Sequence, residues 1–305
     1  TARDMRIGID LGGSKIEGIV LDDSGKERAR LRVATPQARY EATIEGIAQV
    51  VRELEAKVGQ RCRVGVGHPG AISPATGLIK NANSTRLNGH PLDRDLKRAL
   101  ERDEVRLSND ANCFAVSEAA DGAGRGWPVV FGVILGTGVG GGIVIDGKPL
   151  VGAQAISGEW GHNALPLPRD DERPGPQCYC GRRGCVEAWL SGPAFQSQFA
   201  RKTGRELRAT EIADAAKAGD READESFEAY CDRLARALAN VVNLIDPHVI
   251  VLGGGLSKME ALYRRVPELW RGYVFSEPDL IVTRLVPPVH GDSSGVRGAA
   301  WLWPA

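Results

Sequence analysis

Apolar residues recur along this chain in two rhythms, and the change from one to the other is the first structural signal. Near the start, Ile7, Ile9 and Leu11 alternate with small or polar residues, and Ile16 to Leu21 form a second apolar run after a glycine turn. Alternation over a short run predicts a strand, and recurrence every three to four residues predicts a helix. A strand pair over Met5–Leu21 and a third strand over Arg28–Thr35 are therefore expected. Ile44, Ile47, Val51, Leu54 and Val58 then share one stripe at helical spacing. Arg63–Gly67 reads as a strand, Leu92–Leu100 as a short helix and Val105–Leu107 as a short strand, with Asn109-Asp110 at the mouth of a helix reaching about Ala120. Ser73–Gly89 is rich in Asn, Ser, Thr and Gly and predicts an irregular loop.

The rhythm then repeats. Turn signals over Gly122–Pro128 mark a domain boundary, and a second apolar strand pair follows. Arg169–Gly184 is rich in Pro, Gly and Cys and cannot build a core by itself. Phe227, Tyr230, Cys231, Leu234, Leu238, Val241, Val242 and Ile245 predict the inward stripe of a long helix that Asp246-Pro247 ends. Val249–Leu252 is apolar at every position, which suits a central strand covered on both faces. It meets Gly253-Gly254-Gly255 and a further helix. A small-residue helix over Val296–Trp303 is expected to return to the first domain. The expected organisation is α/β: an N-terminal domain over 1–121 joined by the helix in 291–305, and a C-terminal domain over 122–290.

The two strand pairs share one device. Asp10-Leu11-Gly12-Gly13-Ser14-Lys15 and Gly136-Thr137-Gly138-Val139-Gly140 each place a tight glycine turn with a hydroxyl between two apolar strands. Glycine lets backbone N–H groups come close to an anion, and the hydroxyl adds a donor. Two such turns facing each other across a cleft would hold a polyphosphate, which points to a nucleotide-using enzyme. Asp10 beside the first turn is a candidate for Mg²⁺, and Gly253, Gly254 and Gly255 offer a flat backbone surface for an adenine or ribose. A hairpin turn with a solvated aspartate and a close-packed strand–helix turn are the plainer readings of these two features.

Composition narrows the partners. Lysine plus arginine number 39 and aspartate plus glutamate number 39, so no basic face for nucleic acid is implied. No apolar run is long enough to span a membrane, and no apolar leader stands at the start, so a cytoplasmic setting with reduced thiols is expected. Of six cysteines, Cys178, Cys180 and Cys185 are crowded together. In that setting the spacing suits tetrahedral Zn²⁺, with His162 as the best candidate for the fourth ligand. Four protein ligands leave no open position, so the metal reads as structural. It would shape a coreless loop and hold Glu159 and Glu187 near the cleft, where carboxylates and His162 could accept or share the hydroxyls of a sugar. Asn109 and Asp110 lie where a strand meets a helix: one can cap the helix while the other takes a proton from a substrate hydroxyl.

Together these motifs resemble the ROK family (repressor, open reading frame, kinase), and the resemblance runs from Met5 to the end. It is carried by Asp10-x-Gly12-Gly13-Ser14-Lys15, Pro69-Gly70, Asn109-Asp110, Leu135 to Gly142, Gly158-Glu159-Trp160-Gly161-His162 and Cys178-x-Cys180-Gly181-x-x-Gly184-Cys185-x-Glu187. The resemblance implies a two-domain actin/hexokinase-like (ribonuclease H-like) ATPase fold with a cleft between the domains. It implies Asp110 as the base; Gly70, Asn83, Asn109, Glu159, His162 and Glu187 at the hexose; and zinc on His162 and the three cysteines. It implies ATP and Mg²⁺ at Asp10, Gly12, Gly13, Ser14, Lys15, Gly136, Thr137, Gly138 and Gly253 to Gly255, with a homodimer as the assembly. Lys80 to Thr85 with Leu87-Asn88-Gly89, and Gly291 to Gly298, look most like bacterial fructokinases. Phosphorylation at C6 of fructose, and also of mannose, is the expected activity, with N-acetylglucosamine or glucose as the alternative sugar. Ser14 stands where the family usually has threonine, and His68 where it has an aliphatic residue. ROK repressors carry a helix-turn-helix ahead of the first hairpin; four residues precede Met5 here, so a DNA-binding regulator is not expected.

Overall fold

The computed structural model describes residues 4–37 and 39–304. Its chain forms two compact units. The first takes the chain up to Gly126, Gly142–Ser157, and the residues from Asp292 onward; the second takes Trp127–Gly141 and Gly158–Gly291. Residues 142–157 were expected in the C-terminal domain and group instead with the first unit.

The first unit is built on a sheet of β1 (Arg6–Leu11), β2 (Lys15–Leu21), β3 (Glu27–Ala34) and β4 (Arg63–His68). The short strands β5 (Ala71–Ile72) and β6 (Ile79–Lys80) make a separate hairpin, and β7 (Arg106–Asn109) completes the main sheet in the order β3-β2-β1-β4-β7. β1 pairs antiparallel with β2 and parallel with β4, and β4 parallel with β7. Helix α1 (Tyr40–Val58) lays Ile44, Ile47, Val51 and Leu54 on one face, where Ile7, Ile9, Val64 and Val66 meet them in the main core. A left-handed Gly59 ends it, its N–H bonding to the Glu55 carbonyl at 2.8 Å. The short helix α2 (Leu92–Ala99) joins this core through Leu92 and Leu96.

The other face of the sheet explains the glycines inside its strands. Helix α9 (Ser294–Trp301; the elements between are described below) lies directly on Gly8 and Gly65. A Cβ on Gly8 would sit 2.0 Å from the Val296 carbonyl, and one on Gly65 would sit 1.8 Å from that of Ala299. Helix α3 (Asp110–Ala120) packs against α9 just as closely: a Cβ on Gly298 would lie 1.6 Å from the Cys113 carbonyl. No side chain fits at these three places, so each costs backbone freedom in exchange for close approach. The consequence is positional: α3 is locked against the sheet, with its first residue, Asp110, beside the end of β1.

The second sheet has the order β10-β9-β8-β11-β12, from β8 (Val129–Leu135), β9 (Val139–Ile145), β10 (Lys148–Pro149), β11 (Val249–Gly253) and β12 (Arg284–Val286). β11 pairs parallel with both β8 and β12 and is buried throughout, as its uniform apolar run predicts. Between β10 and β11 lie α4 (Val186–Leu190), α5 (Gly192–Thr203), α6 (Ala209–Lys217) and α7 (Arg221–Ile245). Asp220 caps α7, accepting the Ala223 N–H at 3.0 Å, and a left-handed Asp246 before Pro247 ends it. Phe227, Tyr230, Cys231, Leu234, Leu238 and Val242 are buried, whereas Val241 and Ile245 are half-buried on the edge of that stripe. Gly255–Lys258 is a 3-10 turn, not the start of a helix; α8 (Leu262–Trp270) begins after it.

Candidate active site

The residues singled out from the sequence fall into one set in each unit. In the first unit the β1–β2 turn is held from behind. Thr35 donates to the Gly12 carbonyl at 2.8 Å, the Thr35 N–H to that of Ser14 at 2.9 Å, and the Gln37 amide to that of Gly13 at 2.7 Å. With its carbonyls so engaged, the turn leaves Gly13 and Ser14 exposed. The loop that carries Asn83 reaches this turn, since a Cβ on Gly13 would be 3.7 Å from Ser84 Oγ. Asn83 itself is exposed and accepts the Ser84 N–H at 2.7 Å. Gly70 has a left-handed backbone and lies against residues 80–82, where a Cβ would be 2.4 Å from the Lys80 carbonyl. Glycine at that position shapes the loop's base.

Asp10 and Asp110 stand together at the head of this set. Asn109 takes the capping role, its Oδ1 accepting the Asn112 N–H at 2.8 Å, and Asp110 accepts the Ala111 N–H at 2.8 Å. Burial first, then the nearby Asp110 charge, raises the Asp10 carboxyl to about 6. Asp110 is open to solvent in surface terms, yet the surrounding protein strips enough water to raise its carboxyl as well. Two carboxylates sharing a poorly hydrated place are suited to a cation or to a proton in transit. Gly295, at the start of α9, would bring a Cβ to 3.8 Å from Asp10, so that helix begins at the same spot.

Lys15 carries an ion pair. It lies on β2 and donates to Glu17 at 3.2 Å, and buried Glu17 also receives Arg32 at 2.8 Å and Arg30. Glu17 is the cross-strand partner of Asp10 in the β1–β2 register, so this ionic row adjoins the carboxylates. His68 is 2 % exposed and alternates with core residues Val64 and Val66, with its Nδ1 3.1 Å from the Pro69 carbonyl. Burial lowers its pKa and favours the neutral ring.

In the second unit the β8–β9 turn is closed by the Gly136 N–H bonding to the Gly138 carbonyl at 3.0 Å, and it is joined to α5 by the Gly192 N–H at 2.8 Å from the Gly136 carbonyl. Thr137 is exposed on it. Glu187 from α4 reaches the turn and accepts the Val139 N–H at 2.8 Å. Gly254 must be glycine: its φ is +80° and a Cβ would lie 2.3 Å from the Leu135 carbonyl, whereas Gly255 faces open space. Of the three, Gly253 ends β11, Gly254 packs, and Gly255 is the open one.

Gly158 to His162 are bolted to β9. The Trp160 indole donates to the Gly140 carbonyl at 3.0 Å and meets Phe131 edge-on, and a Cβ on Gly161 would collide with the Val139 carbonyl at 2.1 Å. Glu159 and His162 are carried on this rigid mount. The potential ligand atoms of His162, Cys178, Cys180 and Cys185 all lie within 4.8 Å of one another. Cys178 Sγ is 3.7 Å from His162 Nδ1, and Cys180 Sγ is 3.6 Å from Cys185 Sγ. Zn–S bonds of about 2.3 Å in a tetrahedron separate sulfurs by about 3.7 Å, so the four groups fit a zinc ion. The Arg182 N–H and guanidinium bring the Cys180 thiol down to about 6, toward the thiolate that a metal needs.

Two features were not foreseen. Glu172, near the start of the Pro/Gly/Cys-rich segment, is buried and bound by Arg233 and Arg236 of α7, both at 2.7 Å. Tyr179, between two of the cysteines, places its hydroxyl 3.0 Å from His162 Nε2. Neither was visible as a pattern, since each depends on a partner distant in sequence or on the fold of a loop.

With this geometry in view, the comparisons with known proteins are decisive. The sequence pattern of the ROK family matches residues 6–305. The chain belongs to the ROK family. Within it, this ROK protein falls with the sugar kinases. It is 40% identical to an N-acetyl-D-glucosamine kinase of Pectobacterium carotovorum, with 98% of each chain covered, and equally so to that of Salmonella arizonae over 98% of this chain and 99% of the relative. Among solved structures it is similar to a ROK hexokinase from Thermus thermophilus (TM-score 0.85, 31% identity, 97% of both chains). It is also similar to a ROK glucokinase from Streptomyces griseus in complex with glucose and AMPPNP (TM-score 0.77, 28% identity, 98% of both chains). The fold is thus the two-domain actin/hexokinase-like α/β fold of this family.

Proposed function

We propose that this ROK protein transfers the γ-phosphoryl group of ATP to the C6 hydroxyl of a hexose, and that the sugar is N-acetyl-D-glucosamine. The sugar hydroxyl oxygen forms the new bond to γ-phosphorus, the bond to the β–γ bridging oxygen breaks, ADP leaves, and the hydroxyl proton passes to Asp110. The observation that carries the reaction is the placement of Asp110 at the first turn of α3 beside Asp10, where the loss of water raises its carboxyl. A carboxylate whose pKa is lifted toward neutrality is a better proton acceptor at working pH than a solvated one. Asp10 would hold Mg²⁺, whose charge offsets that of the phosphates. Exposed Gly13 and Ser14, and Gly136 to Gly138 with Thr137, would present N–H and hydroxyl donors to the phosphates; Gly255 has the open space a base or ribose requires. Asn83, Asn109, Glu159, His162 and Glu187 would recognise sugar hydroxyls. Zinc on His162 and the three cysteines would hold the last of these groups in shape, as a structural ion with no open position.

The sugar assignment rests on the 40% identity to N-acetyl-D-glucosamine kinases along the whole chain. Fructose, favoured by the Lys80–Gly89 loop, finds no support among those relatives and becomes the second reading. Measuring kcat/KM for N-acetylglucosamine, glucose, mannose and fructose with ATP separates them. N-acetylglucosamine is expected to lead; a lead for fructose would reinstate the loop-based reading, and turnover of none would end the kinase assignment.

A further inference from the structure

Tyr179 has no role in the reading above, yet it stands among the groups assigned to the sugar. Its hydroxyl is 3.0 Å from His162 Nε2, and its ring meets the imidazole edge-on, with centroids 5.2 Å apart. Thr137, Tyr179, Glu187 and Ser191 line one cavity of about 360 Å³. Tyr179 is nevertheless 84 % exposed, so little packing holds it in place.

Proton inventory makes this contact consequential. His162 turns Nδ1 toward Cys178 Sγ, 3.7 Å away, which is the lone pair a metal would take. A neutral imidazole carries one N–H, so Nε2 holds the ring's single proton. The Tyr179 oxygen, 3.0 Å away, accepts that proton. We propose that Tyr179 is a specificity-determining residue, whose hydroxyl satisfies His162 Nε2 until a sugar hydroxyl displaces it. This rests on the reading that His162 and Glu187 face the sugar. A sugar that sets a hydroxyl at Nε2 replaces the lost bond; one that cannot leaves a polar group unpaired, the costlier outcome. The exposed ring swings out with little loss of contact, so the exchange asks nothing of the scaffold.

Tyr179→Phe removes the competing hydroxyl and keeps the ring. Titration calorimetry with N-acetylglucosamine is expected to show binding roughly threefold to tenfold tighter than in the parent protein, with kcat within about twofold and the zinc content unchanged. Unchanged or weaker binding by Tyr179→Phe overturns the proposal. Glu187→Gln, which keeps an acceptor for the Val139 N–H, is measured in parallel. Weakened sugar binding there upholds the underlying placement of the sugar, so that a failure of Tyr179→Phe counts against the tyrosine alone. Unchanged binding by Glu187→Gln removes the placement and the proposal with it.

Discussion

Replacing Glu172 by glutamine should loosen the cysteine loop from α7 and expose how that loop is held. Glu172 is 3 % exposed and accepts from Arg233 Nε at 2.7 Å, Arg236 Nη2 at 2.7 Å, Arg236 Nη1 at 2.9 Å and the Arg169 N–H at 2.9 Å. Arg236 goes on to the carbonyls of Pro166 and Leu167, at 3.0 and 2.8 Å, so one ionic cluster fixes the chain where it enters the loop. Burial opposes ionisation of Glu172, but hydrogen bonds from Arg236, the Arg169 N–H and Arg233 outweigh it and bring the carboxyl from 4.5 to about 2. A fall of that size is worth about 3 kcal/mol of folding stability. Removing one partner of a buried pair costs about 3–5 kcal/mol, and the lower end applies because Asp232 still faces Arg236 at 3.0 Å. The folded-state pKa is depressed, so the stabilisation is complete above the ordinary value of 4.5 and drains away as pH falls toward 2. Urea unfolding followed by far-UV circular dichroism should therefore show Glu172→Gln about 3 kcal/mol less stable at pH 7, with a flatter acid limb than the parent protein. A loss below about 1 kcal/mol, or an acid limb as steep as the parent's, would refute the claim that this carboxylate anchors the loop.

Asp110→Asn should leave sugar affinity by calorimetry near the parent value while lowering kcat roughly 10²-fold; near-normal turnover in a coupled assay would remove Asp110 as the base. Elemental analysis should find about one zinc per chain, and His162→Ala should lose both the metal and sugar affinity; active protein without zinc would refute the site. Gly136→Ala meets open space at a backbone that is not left-handed, so the melting temperature should hold while the KM for ATP rises; an unchanged KM would take that turn away from the phosphates.

Much of the architecture was legible because local rhythm and packing agree. The helical stripe of α1 and the uniform run of β11 each predict a burial that the fold realises, and the alternation of β1 predicts its strand, although α9 covers the face that alternation would leave open. Helices α5 and α6 went unread, and so did the strand β12, three residues long, where the apolar signal is too brief to stand out from the surrounding loop. Residues 142–157 were assigned by continuity along the chain, whereas β9 carries them out of one unit and into the other.

The candidate site shows where residue type stops being informative. Lys15 beside a glycine turn suggests a phosphate ligand; its pairing with Glu17, which also gathers Arg30 and Arg32 from β3, is a charge balance set by strand register and invisible in the turn itself. Trp160 and Gly161 lie in a motif read for its Glu159 and His162, yet their own work is to seat that motif on β9 through an indole hydrogen bond and a contact no side chain could share. Gly8, Gly65 and Gly298 carry no chemistry, but they let α9 and α3 approach closely enough to set Asp110 beside Asp10. Reactive groups can be nominated from sequence because their chemistry is intrinsic. Their environments cannot, because burial, register and close backbone approach are produced by residues far away along the chain, and those environments are what move the Asp10 and Asp110 carboxyls toward useful values.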